Sequence, residues 1–520
     1  MKSRFYNENP TIEFFDVALV SGWDEILTGH ERFAIDGPID LPWDHIIKLL
    51  NARGLTDIYD TRAHQLSDED IHRELTQGLL EGQEFFGRIP SRSFAELIPK
   101  AISQNICLGP GSGILEDRST MYLDRSKRVS EAEAIESGRK LQRLYFYDWP
   151  LSDRQRDLVM KKNFQYVDIS NMDEPVGIDC RDLFRVITTI SRDTFRTVPY
   201  FNDALWGGNW AQNVLGMNVD RVRSALGYEF IAPESAVSIT NGDAEMEIPV
   251  SVLLSTDAGG FVGESVARVF KGEFPIRFDY LDTFNGENLS IHVHPGEDDM
   301  REIFGTLLGQ EESYYVMVAS TDSVIYLGLD GQYRGTDSIV AHSAKVGDLY
   351  LIPHGTPHGS GKGNVVLEVS TTPYLYSLRL HDWERLNSTG FPRPLNQDLA
   401  ISAMNSSDHR GQMSADFVPL PETLETGDGF VIEKLGSLEN WYHEVLRLNI
   451  SPGARYTMEL KDSFLLTTVV SGEYVQAGAK EYSYAETFVV PARRKSIEFL
   501  NSSPTQVSLL IGRMKEGWAR

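Results

Sequence analysis

Two histidine-bearing motifs constrain this chain more than any other feature of it. In the first, Gly286 is followed by five residues and then His292-Val293-His294; the second is G-D-L-Y-L-I-P-H-G-T-P-H, from Gly347 to His358. Side chains at i and i+2 of a β-strand point to the same face, so a strand through LSIHVHP presents both imidazoles to one side. Pro353 and Gly355 make a tight turn able to aim His358 back toward that side. Two co-facing imidazoles at a strand end are a good start for a divalent transition-metal site. For one His-x-His alone, packing or a hydrogen bond is explanation enough; here two separately spaced motifs agree.

The surroundings are rich in strand patterns. From about Gly227 onward come YEFIAPESAVSI, FPIRFDYLDTF, LSIHVHP, SYYVMVAS, SVIYLGL, DLYLIP and NVVLEVS, separated by NG, PG, DG, GD and GK turns. Many short strands with such punctuation predict a sandwich or barrel. Before them the texture differs. RFAIDG reads as a strand and turn, WDHIIKLLNARG as a helix closed by Gly54, and NICLGPGSG as an apolar run into a glycine-rich turn. RLYFYDWP and FQYVDIS read as further strands and DLFRVITTISRDTF as a helix, so this part is expected to be α/β. A polar segment from Asn387 to Pro421 reads as a linker. Strands resume after it with YHEVLRLNI, SFLLTTVVSGEYVQAG, AETFVVPA, SIEFL and QVSLLIGRM. The chain's 520 residues suit about three domains. The expected division is an α/β domain over 1–195, an all-β barrel over 196–405 and a second β domain over 406–520.

Charge and cysteine usage narrow the function. Seventy-five acidic against 49 basic residues give a net charge of −26, a field that repels nucleic acid and anionic membrane surfaces. Any phosphate must then be held by a local basic pocket. Two cysteines, Cys107 and Cys180, exclude a disulfide framework and a multi-cysteine zinc site. No apolar stretch approaches the roughly 20 residues of a membrane span, and the first residues lack a leader's apolar core. A soluble cytoplasmic protein acting on a small molecule is expected, without nucleic-acid or membrane partners; the oligomeric state is left open.

The two histidine motifs together resemble the two-part signature of the cupin barrel. The usual signature places a glutamate four or five residues after the second histidine, where this chain has Asp298 and Asp299. The segment LSIHVHPGEDDMREIFGTLLGQEESYYVM instead resembles class I mannose-6-phosphate isomerases, whose glutamate ligand comes later and falls on Glu312 when the Tyr314-Tyr315 pair is aligned. LWGG (from Leu205), LIPHGTPHGSGKGNVVLEVS, SLRLHDWERL and AETFVVPA are similar to further pieces of that family. The likeness covers about 200 to 520, and phrases such as FPIRFDYLDTFNG point to a longer subgroup with an extra N-terminal α/β domain.

That resemblance implies a multidomain fold: an N-terminal α/β domain, then an all-β cupin (jelly-roll) barrel and a second cupin-like β domain without metal. It implies a metal set of His292, His294, Glu312 and His358, suited to zinc or another divalent transition metal with a position left for water or substrate oxygen. Glu311 is expected on the opposite strand face, and His354 in the turn. The implied activity is metal-dependent aldose–ketose isomerisation of a sugar or sugar phosphate through an enediol, with Arg379, Lys362, Asp382 and Glu297 as candidate catalytic residues. His381 is equally able to face away. Two departures matter. His292 stands where most relatives have glutamine, which costs nothing as a ligand. Gln310 stands where they have an active-site lysine, which leaves the sugar, and whether it is phosphorylated, open.

Two other functions fit the same residues: a cupin oxygenase using iron or manganese, and a non-catalytic sugar-binding cupin. RFAIDGP resembles the strand entering the nucleotide loop of uridine-kinase-like proteins. Neither it nor GPGSG is followed by the Lys-Ser/Thr that a phosphate loop needs, so a degenerate kinase-like domain serving as structure or lid is expected. His443 stands alone and reads as structural.

Overall fold

The computed structural model describes residues 6–92, 98–99, 102–232, 234–371, 375–387, 390–407 and 414–518. Near the N-terminus, Phe33–Asp36 lies at the middle of a seven-stranded sheet. It runs parallel to Ile106–Leu108 on one side and Ser119–Asp124 on the other; Ile58–Asp60 and Gln165–Asp168 extend the parallel set outward. Val176–Asp179 and Leu19–Ser21 close one edge antiparallel. Phe33 and Ile35 pack into one apolar cluster and Ala34 into another, so this strand is buried on both faces. That is why FAID reads as a continuous apolar run.

One expected strand is a helix. RLYFYDWP lies within helical backbone running from Leu141 to Val159, with a wide turn at Leu144–Asp148. Its aromatic density mimics a strand. Pro150 cannot donate the helical hydrogen bond to residue 146, which accounts for the widened turn just before it.

The middle of the chain forms two antiparallel sheets. The six-stranded one has the order Leu349–Ile352, Glu312–Ala319, Asn364–Thr371, Ile276–Asp282, Leu226–Phe230 and Tyr200–Asn202; the five-stranded one has Ile339–Ser343, Val324–Leu329, His358–Ser360, Ile291–Val293 and Leu378–His381. Two helices the strand pattern did not announce, Val250–Val262 and Glu264–Val269, interrupt this region. The 387–421 segment carries a helix, Gln397–Ser406, where a linker was expected. Beyond it, a six-stranded and a four-stranded antiparallel sheet hold the last residues.

The parts share cores. Thr11–Glu13 pairs in parallel with Ala236–Thr240, so the first residues belong to a sheet of the middle region. Ile291 and Val293, facing away from the histidines on their strand, join one apolar cluster with Phe86, Phe146, Phe304, Tyr376 and Leu378. The α/β region thus packs directly beneath the His-x-His strand.

A candidate metal centre

His292 sits in strand Ile291–Val293 and His294 just after it; Glu312 and His358 each open a strand. Register pairs His292 directly with His358. One ligand atom from each of the four residues falls within 4.8 Å of the others, and all four are buried. The backbone fixes each ring. Nδ1 of His292 lies 2.9 Å from the Ser290 carbonyl, that of His294 3.2 Å from the Tyr376 carbonyl, and that of His358 2.8 Å from the Thr356 carbonyl. A carbonyl only accepts, so Nδ1 carries a proton and Nε2 is the nitrogen left to face the centre.

There, Glu312 Oε2 lies 2.7 Å from His294 Nε2 and 2.8 Å from His358 Nε2. The His358 nitrogen is buried and makes no hydrogen bond there. Burial pushes the His292 imidazole well below its usual range, with His358 beside it adding to the effect, and burial likewise lowers His294. Burial works to raise the Glu312 carboxyl, but the imidazoles of His294 and His358 outweigh it and hold it ionised. A divalent cation bound among these nitrogens and the carboxylate oxygen would balance the Glu312 charge in place of a proton. Three imidazoles and one carboxylate therefore fit a divalent transition metal by geometry and by chemistry.

The cluster opens into a cavity of about 590 Å³. Its floor carries three more buried charges, Arg277, Asp279 and Glu368, each at most 5% exposed. Residues 277 and 279 alternate onto one face of their strand, and Asp279 and Tyr314 both register against Glu368. Arg277 Nη2 donates to Glu368 at 2.5 Å and its Nε lies 3.4 Å from Asp279. Burial pushes the Asp279 carboxyl up to about 7 against the pull of Arg277, and pushes Glu368 well above the usual range, helped by Asp279 and Glu312. The sequence reading missed these three. The available signal was charge inside FPIRFDYL and VVLEVS, strands otherwise wholly apolar.

The other expected site residues fall in different places. Arg379 lines the cavity, in register with His292. It donates to the Pro394 carbonyl at 2.6 Å, and burial together with Arg393 lowers its guanidinium to about 10. Asp382 is buried one layer back, accepting from Ser290 Oγ at 2.6 Å and from Arg393 Nε at 2.5 Å; Ser290 and Arg393 are the ones that line the cavity. Lys362 is exposed in its turn, and Glu297 is exposed at the start of a short helix; neither is part of that lining. Glu311 turns away from the cluster, accepting from the backbone N–H of His354 at 2.9 Å and from Trp441 Nε1 at 3.0 Å. Gln310 is buried, its Nε2 3.3 Å from His294 Nε2. His381 packs edge-on against Trp383. His443 is fully buried, stacked on Trp441 and lowered by burial to about 3.

The probable mannose-6-phosphate isomerase GmuF of Bacillus subtilis (strain 168) is 25% identical over 59% of this chain and 98% of its own length. The chain is similar in sequence to enzymes named mannose-6-phosphate isomerases. The mannose-6-phosphate isomerase of Streptococcus mutans is 24% identical over 57% of this chain and 91% of its own. Among solved structures, the mannose 6-phosphate isomerase from Bacillus subtilis aligns with a TM-score of 0.48 at 23% identity, covering 61% of this chain and 98% of that one. Residues 22–192 of this chain match a separate family described as a domain of unknown function, DUF8485.

Proposed function

We propose that this protein is a metal-dependent aldose–ketose isomerase acting on a sugar or sugar phosphate through an enediol. The observation that carries the reading is the convergence of three backbone-held imidazoles and one carboxylate, two of the imidazoles on a single carboxylate oxygen, in the wall of a sugar-sized cavity. The similarity of this chain to enzymes named mannose-6-phosphate isomerases supports it. The proposed division is an α/β domain over 1–195, a metal-binding cupin barrel over 196–405 and a cupin-like β domain without metal over 406–520. His292, His294, Glu312 and His358 would hold zinc or another divalent transition metal, which when bound polarises and orients sugar oxygens.

The chain's own residues supply the proton chemistry. Moving a proton between C1 and C2 needs a group whose pKa lies near the working pH. Asp279, pushed up to about 7 by burial, meets that need, and Glu368 beside it, also raised by burial, is placed to hold a proton in the same cavity. Arg277 fixes Glu368 in place by its hydrogen bond. Arg379 reaches the cavity as a cation able to stabilise an enediolate or hold an anionic substituent. Asp382 orients Arg393 and leaves Ser290 fixed. Lys362 and Glu297, outside the lining, have no part in the reaction proposed here.

The test is isotope exchange. Metal-loaded protein in heavy water should place deuterium at C2 of mannose and at C1 of fructose, or at the same carbons of their 6-phosphates. Absence of exchange with every one of them rejects isomerisation and leaves sugar binding alone. Stoichiometric iron with oxygen consumption points instead to an oxygenase.

A further inference from the structure

The region matched by the domain of unknown function reaches the cavity. Glu84, Phe85 and Phe86 belong to its lining. Their segment is held from both sides. Gln142 Nε2, in the same region, donates to the carbonyls of Gln83 at 3.0 Å and Phe86 at 2.7 Å. From the barrel, Asn396 Nδ2 donates to Gln83 Oε1 at 2.8 Å, while Asn396 Oδ1 accepts from the Arg379 backbone N–H at 3.2 Å. The N–H of Ile89 donates to the Phe304 carbonyl at 2.8 Å. Phe86 is 3% exposed, stacked on Tyr376 and edge-on to Phe304. Phe85, half-buried, is braced edge-on by Phe86 and Phe146, and Glu84 is exposed.

We propose that Glu84 and Phe85 contact the substrate and set which sugar the site takes, so that region 22–192 is a wall of the sugar pocket. The proposal rests on the isomerase reading. Carbohydrates present an apolar C–H face beside hydroxyl donors. A half-buried phenyl ring matches the first and a carboxylate accepts from the second. The same carboxylate repels a phosphate. The Gln83–Asn396–Arg379 chain of hydrogen bonds ties the residue before Glu84 to the backbone of the strand that carries Arg379. A phosphate carried toward Glu84 would meet an opposing charge. The end of the substrate that meets this wall is the uncharged, hydroxyl-bearing one.

The experiment uses the full-length, metal-loaded chain and its variants Glu84→Gln and Phe85→Ala, titrated calorimetrically with mannose, fructose and mannose 6-phosphate. Glu84→Gln should weaken the neutral sugars about three- to tenfold, with KM rising and kcat little changed, and should not weaken the phosphate. Phe85→Ala should weaken all ligands by about tenfold. Metal content should stay at the wild-type value, since neither side chain is a metal ligand; Phe85→Ala should lower the melting temperature by a few degrees through lost packing on Phe86 and Phe146, and Glu84→Gln should leave it unchanged. If both variants bind every sugar as the wild type does, the wall is rejected while the isomerase reading stands. If Glu84→Gln binds mannose and fructose as tightly as the wild type does, no sugar hydroxyl meets Glu84 and the proposal fails. A wild type that binds none of the three sinks the isomerase reading and this inference with it.

Discussion

Glu312 offers one carboxylate oxygen to two imidazoles, and its burial makes that oxygen costly to leave without a cation. His294→Ala or Glu312→Gln should lower bound metal by more than about tenfold, read by elemental analysis, with the circular dichroism of the fold retained. On the proposed reading Glu368 acts on the substrate and not on the metal. Glu368→Gln should leave metal content alone and reduce kcat by roughly 10²–10⁴-fold, the usual weight of a general acid–base group. A kcat that holds while metal falls would move Glu368 from the proton chemistry to ligand support. The two kinds of residue were unequally legible. His292, His294 and His358 announce themselves by spacing, and Glu312 by its place beside a tyrosine pair. Arg277, Asp279 and Glu368 come from strands separate in sequence, and only the register of those strands brings them together.

At the scale of single elements, the glycine-rich turn after Ile106–Leu108 shows what became of the nucleotide-loop pattern. The Asp36 carboxylate, at the end of its strand, accepts from the backbone amides of Gly37, Gly111 and Gly113 at 2.7–2.9 Å. An internal anion thus sits on the turn's own N–H groups. Burial raises the Asp36 carboxyl to about 6, the hydrogen bonds opposing. A carboxyl raised above its unfolded value of about 3.9 keeps its proton longer in the folded state, so stability is fully present below that pH and declines as pH rises toward 6. Between pH 4 and 6 the wild type should lose about 1–3 kcal/mol relative to Asp36→Asn, measured by denaturant melts of both across that range. Elements were legible in sequence where local pattern and tertiary role agree, as in RFAIDG and WDHIIKLL. They were not where an aromatic run such as YFYDW follows helical backbone to fill an interface, a choice set by Phe86 and Tyr376 across the gap. Truncating Phe86 to alanine should cost about 3–5 kcal/mol in a chemical denaturation experiment.

Across the whole molecule, the parts distinguishable by texture are not separable by packing. The first strand pairs inside the middle region, Tyr6 donates to Glu229, and the Asn7 N–H donates to Glu486 far along the chain at 2.7 Å. Calorimetry of the full chain should show a single unfolding transition; two resolved transitions would mean these shared contacts contribute little. Residues 196–520 expressed alone should expose the apolar underside of the His-x-His strand and bind a hydrophobic dye or aggregate. The same contacts explain why the path of the first residues was not readable from length and texture. Three-residue strands such as Thr11–Glu13 gain their register only from a distant partner.

Tyr376 joins these scales. Its carbonyl orients His294, while its ring lies in the aromatic cluster shared with Phe86 and Phe146. Whatever free energy the metal gains from a correctly oriented His294, the docked N-terminal region therefore gains in return, because linkage between two sites is reciprocal. Metal affinity becomes a readout of how firmly the two regions are docked, and stripping the metal should loosen a contact that no ligand atom touches.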